Sequence, residues 1–163
     1  MKTKGFIGLG VMGFPMAGHI SKAYPTQVYN RSLSKAKDWV DLYSGTIALS
    51  PEEMGNACEE IFMCIGNDDD VREVVSGEKG LLKSLKSGSI IVDHTTTSAK
   101  LSREMSDFCS EKGVHYIDAP VSGGQAGADN GSLTIMAGGM EEPFNIACET
   151  MSCYSKFYKL MGP

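Results

Sequence analysis

Short apolar runs alternate along the chain with longer segments whose apolar residues recur at helical spacing. Apolar runs of this length predict strands buried on both faces, and the amphipathic segments predict the helices that connect them. The predicted strands span residues 3–9, 27–30, 61–65, 90–92, 114–117, 133–137 and 156–160. This alternation is typical of one α/β domain, residues 1–163, with a predominantly parallel sheet that carries helices on both faces.

The predicted helices have recognisable apolar faces and ends. Residues 11–22 follow the first strand, and residues 33–43 place Trp39 on the apolar face, which assigns Trp39 to the core. A capping box with proline at the first helical position starts a short helix at residues 50–53. Residues 98–112 have an apolar face, two candidate caps and a terminating glycine, namely Leu101, Met105 and Phe108, then Thr97 and Ser98, then Gly113.

The first predicted strand continues into Gly8-Leu9-Gly10-Val11-Met12-Gly13, a G-x-G-x-x-G sequence placed directly before a predicted helix. With 19 glycines in the chain, the hexapeptide alone could be an ordinary turn, but its strand-turn-helix context predicts a dinucleotide cradle. Gly8 allows the tight turn, Gly10 lets the backbone approach a pyrophosphate, and Gly13 permits close packing. The pyrophosphate is expected on free N–H groups at the helix start, which makes Val11 and Met12 candidate cofactor residues. The expected fold is a Rossmann-type doubly wound sheet.

The end of the second predicted strand carries Asn30-Arg31-Ser32. A carboxylate about 20 residues beyond the glycine motif binds the ribose 2′-hydroxyl in sites that prefer NAD. Here an amide, a guanidinium and a hydroxyl replace it, so a 2′-phosphate would meet hydrogen-bond donors. The triplet predicts NADP as the cofactor, with NAD second. The alternative is that Arg31 is a solvated loop residue and Ser32 only caps the next helix.

Three further loops follow predicted strands and are expected on the same edge of the sheet. The turn at residues 66–68 could flank the cofactor, although Asp68 to Asp70 is adequately explained by helix capping. Thr96 is the best ligand candidate in the second loop. His94 precedes it, but the sequence supplies no orienting partner for His94 as an acid or base. In the third loop, the hydroxyl of Ser122 and the N–H groups of Gly123 and Gly124 could hold a carboxylate.

Composition removes several other classes of function. A net charge of −5 provides no overall positive field for nucleic acid or an anionic membrane. No apolar run approaches the roughly 20 residues needed to span a bilayer, which predicts a cytoplasmic protein with no membrane partner. The five cysteines form no metal-binding spacing with histidine, so thiols are expected to be reduced and mostly buried, and no metal site is predicted.

Three ordered motifs, each at the end of a predicted strand, carry a family resemblance. They are Gly8-Leu9-Gly10-Val11-Met12-Gly13-Phe14-Pro15-Met16-Ala17, Asp93-His94-Thr95-Thr96, and Asp118-Ala119-Pro120-Val121-Ser122-Gly123-Gly124 followed by Gly127-Ala128 and Gly131-Ser132-Leu133. Over its whole length the chain resembles the N-terminal domain of the β-hydroxyacid dehydrogenases. This family includes 3-hydroxyisobutyrate dehydrogenase, tartronate semialdehyde reductase, glyoxylate and succinic semialdehyde reductases and, more distantly, 6-phosphogluconate dehydrogenase.

The resemblance implies roles for specific residues. Ser122, Gly123 and Gly124 would hold the carboxylate of a small substrate, and Thr96 would contact the nicotinamide side. The loop from Cys64 through Ile65 and Gly66 to Asn67 would line the cofactor, and Asn30-Arg31-Ser32 resembles the NADP-using members. The implied activity is hydride transfer between NADP(H) and a small 3-hydroxy acid or its semialdehyde.

The resemblance also implies parts that these 163 residues do not contain. Family members continue into a helix with a catalytic lysine and an asparagine four residues on, then into an all-helical domain that completes the pocket and the homo-oligomer. Lys159 lies in a strand-like run and does not match that lysine, so no catalytic residue is assigned. The chain is expected to be the cofactor domain of a larger enzyme and inactive alone. The competing interpretation is a non-catalytic dinucleotide-binding module.

Overall fold

The strands of the protein form one nine-stranded sheet in a computed structural model that describes residues 1–163. In chain order they are β1 (Lys4–Ile7), β2 (Thr26–Tyr29), β3 (Thr46–Ile47), β4 (Glu60–Met63), β5 (Ile90–Asp93), β6 (His115–Asp118), β7 (Val121–Ser122), β8 (Leu133–Gly138) and β9 (Ser155–Gly162). The order across the sheet is β3-β2-β1-β4-β5-β6-β8-β7, and β9 pairs with β8.

The sheet is parallel from β3 to β6, and β1 pairs with both β2 and β4. β8 runs antiparallel to β6 and β7, whereas β9 is parallel to β8. The chain therefore moves outward from β1 in one direction through β2 and β3, then returns to build the other half from β4. This reversal is a topological switch point, where the loops that follow neighbouring strands diverge and leave room for a ligand.

Seven helices connect the strands: α1 (Gly13–Ser21), α2 (Leu33–Leu42), α3 (Pro51–Ala57), α4 (Asp68–Ser76), α5 (Ala99–Glu111), α6 (Gly124–Asn130) and α7 (Glu141–Met151). The N-terminus of α3 shows how the local sequence determines where a helix begins. The Ser50 hydroxyl accepts the N–H of Glu53, as a capping residue should, while the Glu53 carboxylate accepts the N–H of Leu49. None of the helices is long and apolar enough to cross a membrane.

Two separate apolar cores cover the two faces of the sheet. Successive residues of a strand point to opposite faces, so Phe6 and Phe62 lie in one core while Ile7 and Met63 lie in the other. Trp39 is fully buried in the first core, which confirms its assignment from the helical spacing. The doubly wound, mostly parallel sheet is also confirmed.

The structure corrects two local predictions and adds two helices. Phe108 is 43% exposed, and Cys109 takes the buried position on α5 because the apolar stripe follows the spacing of Leu101, Met105 and Cys109. The first helix begins at Gly13 rather than at residue 11. α6 and α7 were not predicted, since α6 contains two glycines and few large apolar residues, and α7 carries a proline in its first turn. All five cysteines are unpaired.

Candidate functional site

The glycine loop connects β1 to α1 at the switch point. Gly8 has φ +100°, and a Cβ there would overlap the carbonyl oxygen of Cys64, so the turn against β4 requires glycine. A Cβ at Gly13 would overlap the carbonyl oxygen of Gly8, which shows how closely α1 approaches the turn. A Cβ at Gly10, by contrast, would meet no atom within 4 Å. Nothing in the chain itself requires glycine at position 10, as expected where the backbone makes room for a ligand.

Hydrogen-bond donors remain free in this loop. The N–H groups of Gly10, Val11 and Met12 donate to no acceptor of the protein, and α1 begins directly after them. Main-chain donors at the start of a helix form a binding site for a phosphate group. The loop therefore combines open space at Gly10 with unpaired donors, and a dinucleotide pyrophosphate fits both features.

Asn30 holds the glycine loop in place. Its carbonyl oxygen accepts the N–H of Leu9 at 2.9 Å, and its amide nitrogen donates to the carbonyl oxygen of Ser32. Both ends of the side chain are thus occupied within the protein. Asn30, predicted as a cofactor residue, lies at the site but acts on the loop that would bind the cofactor.

The segments that follow the carboxyl ends of β2, β1, β4, β5 and β6 form one edge of the sheet, which we call the rim. Arg31 and Ser32 lie beyond the end of β2, at one end of this rim. Arg31 is exposed and donates through Nη2 to Oδ1 of Asp70 at 2.7 Å, a partner that the sequence did not indicate. Ser32 occupies the N-cap position of α2, but its hydroxyl lies 2.9 Å from the Ser34 hydroxyl and caps no amide. The alternative interpretation, in which Ser32 only caps the helix, is therefore wrong. Ser32 and Ser34 are both exposed, as is Arg31.

The loops after β4 and β5 are tied together by a buried carboxylate. Asp93 accepts the Tyr116 hydroxyl at 2.5 Å and the N–H of Thr95 at 2.9 Å. The Thr95 hydroxyl in turn accepts the N–H of Ile65 at 2.9 Å. Burial raises the pKa of Asp93 to about 6, although these hydrogen bonds oppose the rise. Cys64, beside Gly8, has a pKa raised to about 11 by burial, so its thiol stays protonated at neutral pH.

The rest of these two loops forms a hydrogen-bonded edge. The Asn67 side chain caps α4 by accepting the N–H of Asp70, and Gly66 is exposed beside it. Asp68 accepts both the N–H and the hydroxyl of Ser98, which confirms a structural role for Asp68. Thr96 is exposed on the rim. Ser98 caps α5, whereas the hydroxyl of Thr97 is buried without a partner, so Thr97 does not share the capping role predicted for it.

His94 is fully enclosed and has the partners that the sequence could not supply. The carbonyl oxygen of Ala119 lies 2.6 Å from Nδ1, and the Tyr154 hydroxyl lies 2.6 Å from Nε2. A carbonyl only accepts, so Nδ1 carries the proton and Nε2 accepts from the tyrosine. Burial lowers the pKa of His94 to about 4. The neutral ring joins the end of β5 to the loop after β6, is buried from solvent and has both ring nitrogens occupied by protein partners.

The buried neutral His94 predicts a specific pH dependence of stability. In the unfolded chain this histidine binds a proton below pH about 6.5, whereas in the fold it does so only below about 4. Acidification across this window therefore favours unfolding, by roughly 3 kcal/mol in total. In urea titrations between pH 7 and 4, His94→Gln should lose less stability than the unmodified chain. Equal losses would mean that His94 titrates normally in the fold.

The segment with Ser122 follows β6, at the other end of the rim, and Ser122 ends the two-residue strand β7 rather than lying in a loop as predicted. Ser122 is exposed and pairs with Thr134 of β8 through the backbone. Gly123 and Gly124 have φ of +129° and +61°, and their N–H groups donate to no protein acceptor. A hydroxyl and two free amides thus face solvent together, which fits the carboxylate-binding role expected from the sequence.

The candidate residues follow one another along the rim in the order of the strands. Arg31 lies after β2, the glycine loop after β1, Cys64 to Asn67 after β4, Thr96 after β5 and Ser122 after β6. Residues 3–162 match the model of a family described as the NAD binding domain of 6-phosphogluconate dehydrogenase. The chain belongs to this family. The free amides at Gly10 and the order of the loops are the features by which this NAD-binding domain would hold an extended dinucleotide.

Relatives of this NAD-binding domain are oxidoreductases by name. An uncharacterized oxidoreductase of Shewanella frigidimarina is 47% identical over 164 residues, covering 100% of this chain and 56% of that protein. The mitochondrial 3-hydroxyisobutyrate dehydrogenase of Homo sapiens is 35% identical over 150 residues, covering 91% of this chain and 44% of that protein. The chain thus spans about half the length of the curated relatives it matches.

Solved structures share the fold closely. Psf3, solved in complex with NADP+ and 2-OPP, is 27% identical with a TM-score of 0.92, and the match covers 98% of this chain and 56% of Psf3. The 3-hydroxyisobutyrate dehydrogenase of Mycobacterium tuberculosis, solved with L-serine, is 24% identical with a TM-score of 0.91, covering 99% of this chain and 55% of that chain. The second likeness concerns the fold alone.

Proposed function

We propose that the chain is the NADP-binding domain of an oxidoreductase that transfers hydride between NADP(H) and a small 3-hydroxy acid or its semialdehyde. The observation that supports this proposal is the spatial order of polar groups along the rim. The exposed guanidinium of Arg31 lies at one end, the unpaired N–H groups of the glycine loop come next, and the exposed Ser122 with the unpaired N–H groups of Gly123 and Gly124 lies at the other end. A cofactor and an acid substrate need this order to place the nicotinamide beside the substrate.

The residues have distinct tasks in this proposal. The amides of Val11 and Met12 bind the pyrophosphate, and Arg31 with the hydroxyls of Ser32 and Ser34 receives the 2′-phosphate of the adenosine ribose. Asn30 holds the glycine loop and Thr95 holds the loop after β4, and these are the two loops that would contact the cofactor. When bound, NADPH supplies the hydride. The protein orients the two reactants and keeps their reacting atoms close, which is a large part of the rate advantage of an enzyme.

Arg31→Ala tests the cofactor assignment. We expect it to weaken binding of NADPH by about 5- to 20-fold and to leave NADH binding nearly unchanged, because only NADPH has a phosphate for the guanidinium. The difference between the two cofactors should shrink as salt is added. Isothermal titration calorimetry of the unmodified chain and of Arg31→Ala, each with NADPH and with NADH, measures these affinities.

The control for Arg31→Ala is Arg103→Ala, since Arg103 is an exposed cation of α5 that takes part in no ion pair. This control removes the same charge and should change neither affinity by more than about twofold. Equal affinities of the unmodified chain for NADPH and NADH, unaffected by Arg31→Ala, would refute the assignment of Arg31.

The substrate half of the proposal concerns the longer protein of which this domain would be part. Ser122 is expected to bind the substrate carboxylate, and the acid/base lysine and the homo-oligomer contacts would come from a helical domain that follows. Lys159 lies within β9, which agrees with the expectation that it is not that lysine. The isolated domain is therefore proposed to be inactive, and the parent enzyme to be cytoplasmic, although the named human relative is mitochondrial.

Ser122→Ala in the longer protein should lower kcat/KM for carboxylate substrates by about 10- to 150-fold, because a hydrogen bond to a charged group is lost. The affinity for NADPH should stay the same, since the hydroxyl lies at the far end of the rim from Arg31. Steady-state kinetics at saturating NADPH, with a panel of small semialdehydes, measures the effect. Loss of NADPH binding with unchanged kcat/KM would place this loop in the nucleotide site.

A further inference from the structure

The ion pair between Arg31 and Asp70 lies across the mouth of the cofactor site. β1 is placed between β2 and β4 in the sheet, Arg31 follows β2, and Asp70 is in the first turn of the helix that follows β4. A contact between these two side chains must therefore pass over the carboxyl end of β1, where the glycine loop lies. A dinucleotide bound at that loop with its adenosine toward β2 would therefore lie next to the pair.

Arg31 and Asp70 differ in how far each is exposed to solvent and anchored by its surroundings. The main-chain N–H of Asp70 donates to Asn67 at 3.0 Å, and its second carboxylate oxygen lies over the Cα of Gly66, where an added Cβ would overlap it. The Asp70 side chain is 25% exposed, whereas that of Arg31 is 73% exposed. The main chain of Asp70 is thus anchored in its own loop and its carboxylate lies close to Gly66, whereas Arg31 is largely exposed and is held by Asp70 through one hydrogen bond.

A phosphate that binds Arg31 must come close to the Asp70 carboxylate, since Oδ1 of Asp70 lies 2.7 Å from Nη2 of Arg31. A phosphate monoester carries a charge of about −1.5 to −2 at neutral pH, so the two anions repel each other while both attract the guanidinium. Glu73, one turn farther along α4, adds to the negative field at Arg31. A ribose with a free 2′-hydroxyl experiences no such repulsion.

We propose that Asp70 is a specificity-determining residue that limits the preference of this domain for a 2′-phosphorylated cofactor. Asp70 competes with the phosphate for Arg31 and leaves binding of the unphosphorylated cofactor unaffected. This inference rests on the proposed function of Arg31. It predicts a chain that uses both cofactors, with the balance set by one carboxylate that lies outside the end of the second strand.

The test uses 2′,5′-ADP and 5′-AMP, which differ only in the 2′-phosphate, together with NADPH and NADH. Asp70→Asn should tighten 2′,5′-ADP and NADPH by about 3- to 10-fold and change 5′-AMP and NADH by less than about twofold. The gain should decline with added salt. The matched control is Asp69→Asn, because Asp69 lies in the same helical turn, is 91% exposed and pairs with Arg72 instead. Asp69→Asn should increase the affinity for 2′,5′-ADP and NADPH by less than half of the increase produced by Asp70→Asn.

Asp70→Ser provides a second variant, since serine removes the same charge and suits a first helical turn. Thermal unfolding by circular dichroism shows whether each variant is folded, and every folded variant without Asp70 must show the gain. Unchanged or weaker binding of 2′,5′-ADP, in a chain whose binding depends on Arg31, overturns the role of Asp70. Failure of the proposed function gives a different result: the unmodified chain and Arg31→Ala then bind 2′,5′-ADP with the same affinity.

Discussion

Gly10→Val should abolish dinucleotide binding and leave the protein folded. A Cβ at Gly10 meets no protein atom within 4 Å and the residue does not have a positive φ, so a side chain can start here without a clash. It adds a branched side chain next to the free amides of Val11 and Met12, at which the pyrophosphate is proposed to bind. Loss of two hydrogen bonds to a charged group amounts to about 3 to 6 kcal/mol, equivalent to a hundredfold or greater loss of affinity.

The measurement for Gly10→Val combines NADPH titration with thermal unfolding. Val11→Ala is the matched control, because the Val11 side chain is 66% exposed and its amide is retained. That control should bind NADPH within about threefold of the unmodified chain, since only a side-chain contact is removed. An unchanged affinity in Gly10→Val would show that the pyrophosphate does not bind at this loop.

Gly8→Ala should have the opposite effect, a large loss of stability. The methyl group would overlap the Cys64 carbonyl oxygen and crowd Ile65, at a backbone with φ of +100° that side chains rarely adopt. Left-handed strain and overpacking each cost about 1 to 3 kcal/mol, so we expect the free energy of unfolding to fall by roughly 2 to 5 kcal/mol.

Urea denaturation of Gly8→Ala beside Gly10→Ala measures this difference in one loop. The second variant should keep its stability within about 0.5 kcal/mol, because its new methyl group faces open space. Similar midpoints for the two variants would mean that the turn between β1 and α1 relaxes freely. The account of why glycine is needed at each position would then be wrong.

The sequence predicted the fold because its signals are local. The strands β1, β2, β4, β5 and β6, which form most of the parallel part of the sheet, were each visible as an apolar run or as a run that ends at a motif. The turn at Gly8 follows from six consecutive residues. The short strands β3 and β7 have two residues each, too few for a pattern. Glycine-rich α6 was missed because weak helix formers fold there in response to packing.

The contacts that organise the site could not be predicted from the sequence, because they join residues that are far apart along the chain. Asp70 meets Arg31 across 39 residues, and Tyr154 meets His94 across 60. Sequence patterns identify which residue types lie at strand ends, but they do not show which of them pair. Asn30 illustrates the result, since it was predicted as a cofactor residue but both polar ends of its side chain bond to the protein itself.

The most direct test of the central claim is a calorimetric titration of the unmodified chain with NADPH and with NADH at low salt. We predict saturable binding of both, tighter for NADPH, because the free amides of the glycine loop serve either pyrophosphate and Arg31 adds a contact to the 2′-phosphate. Absence of binding for both cofactors would contradict the dinucleotide site, and tighter binding of NADH would contradict the cofactor preference.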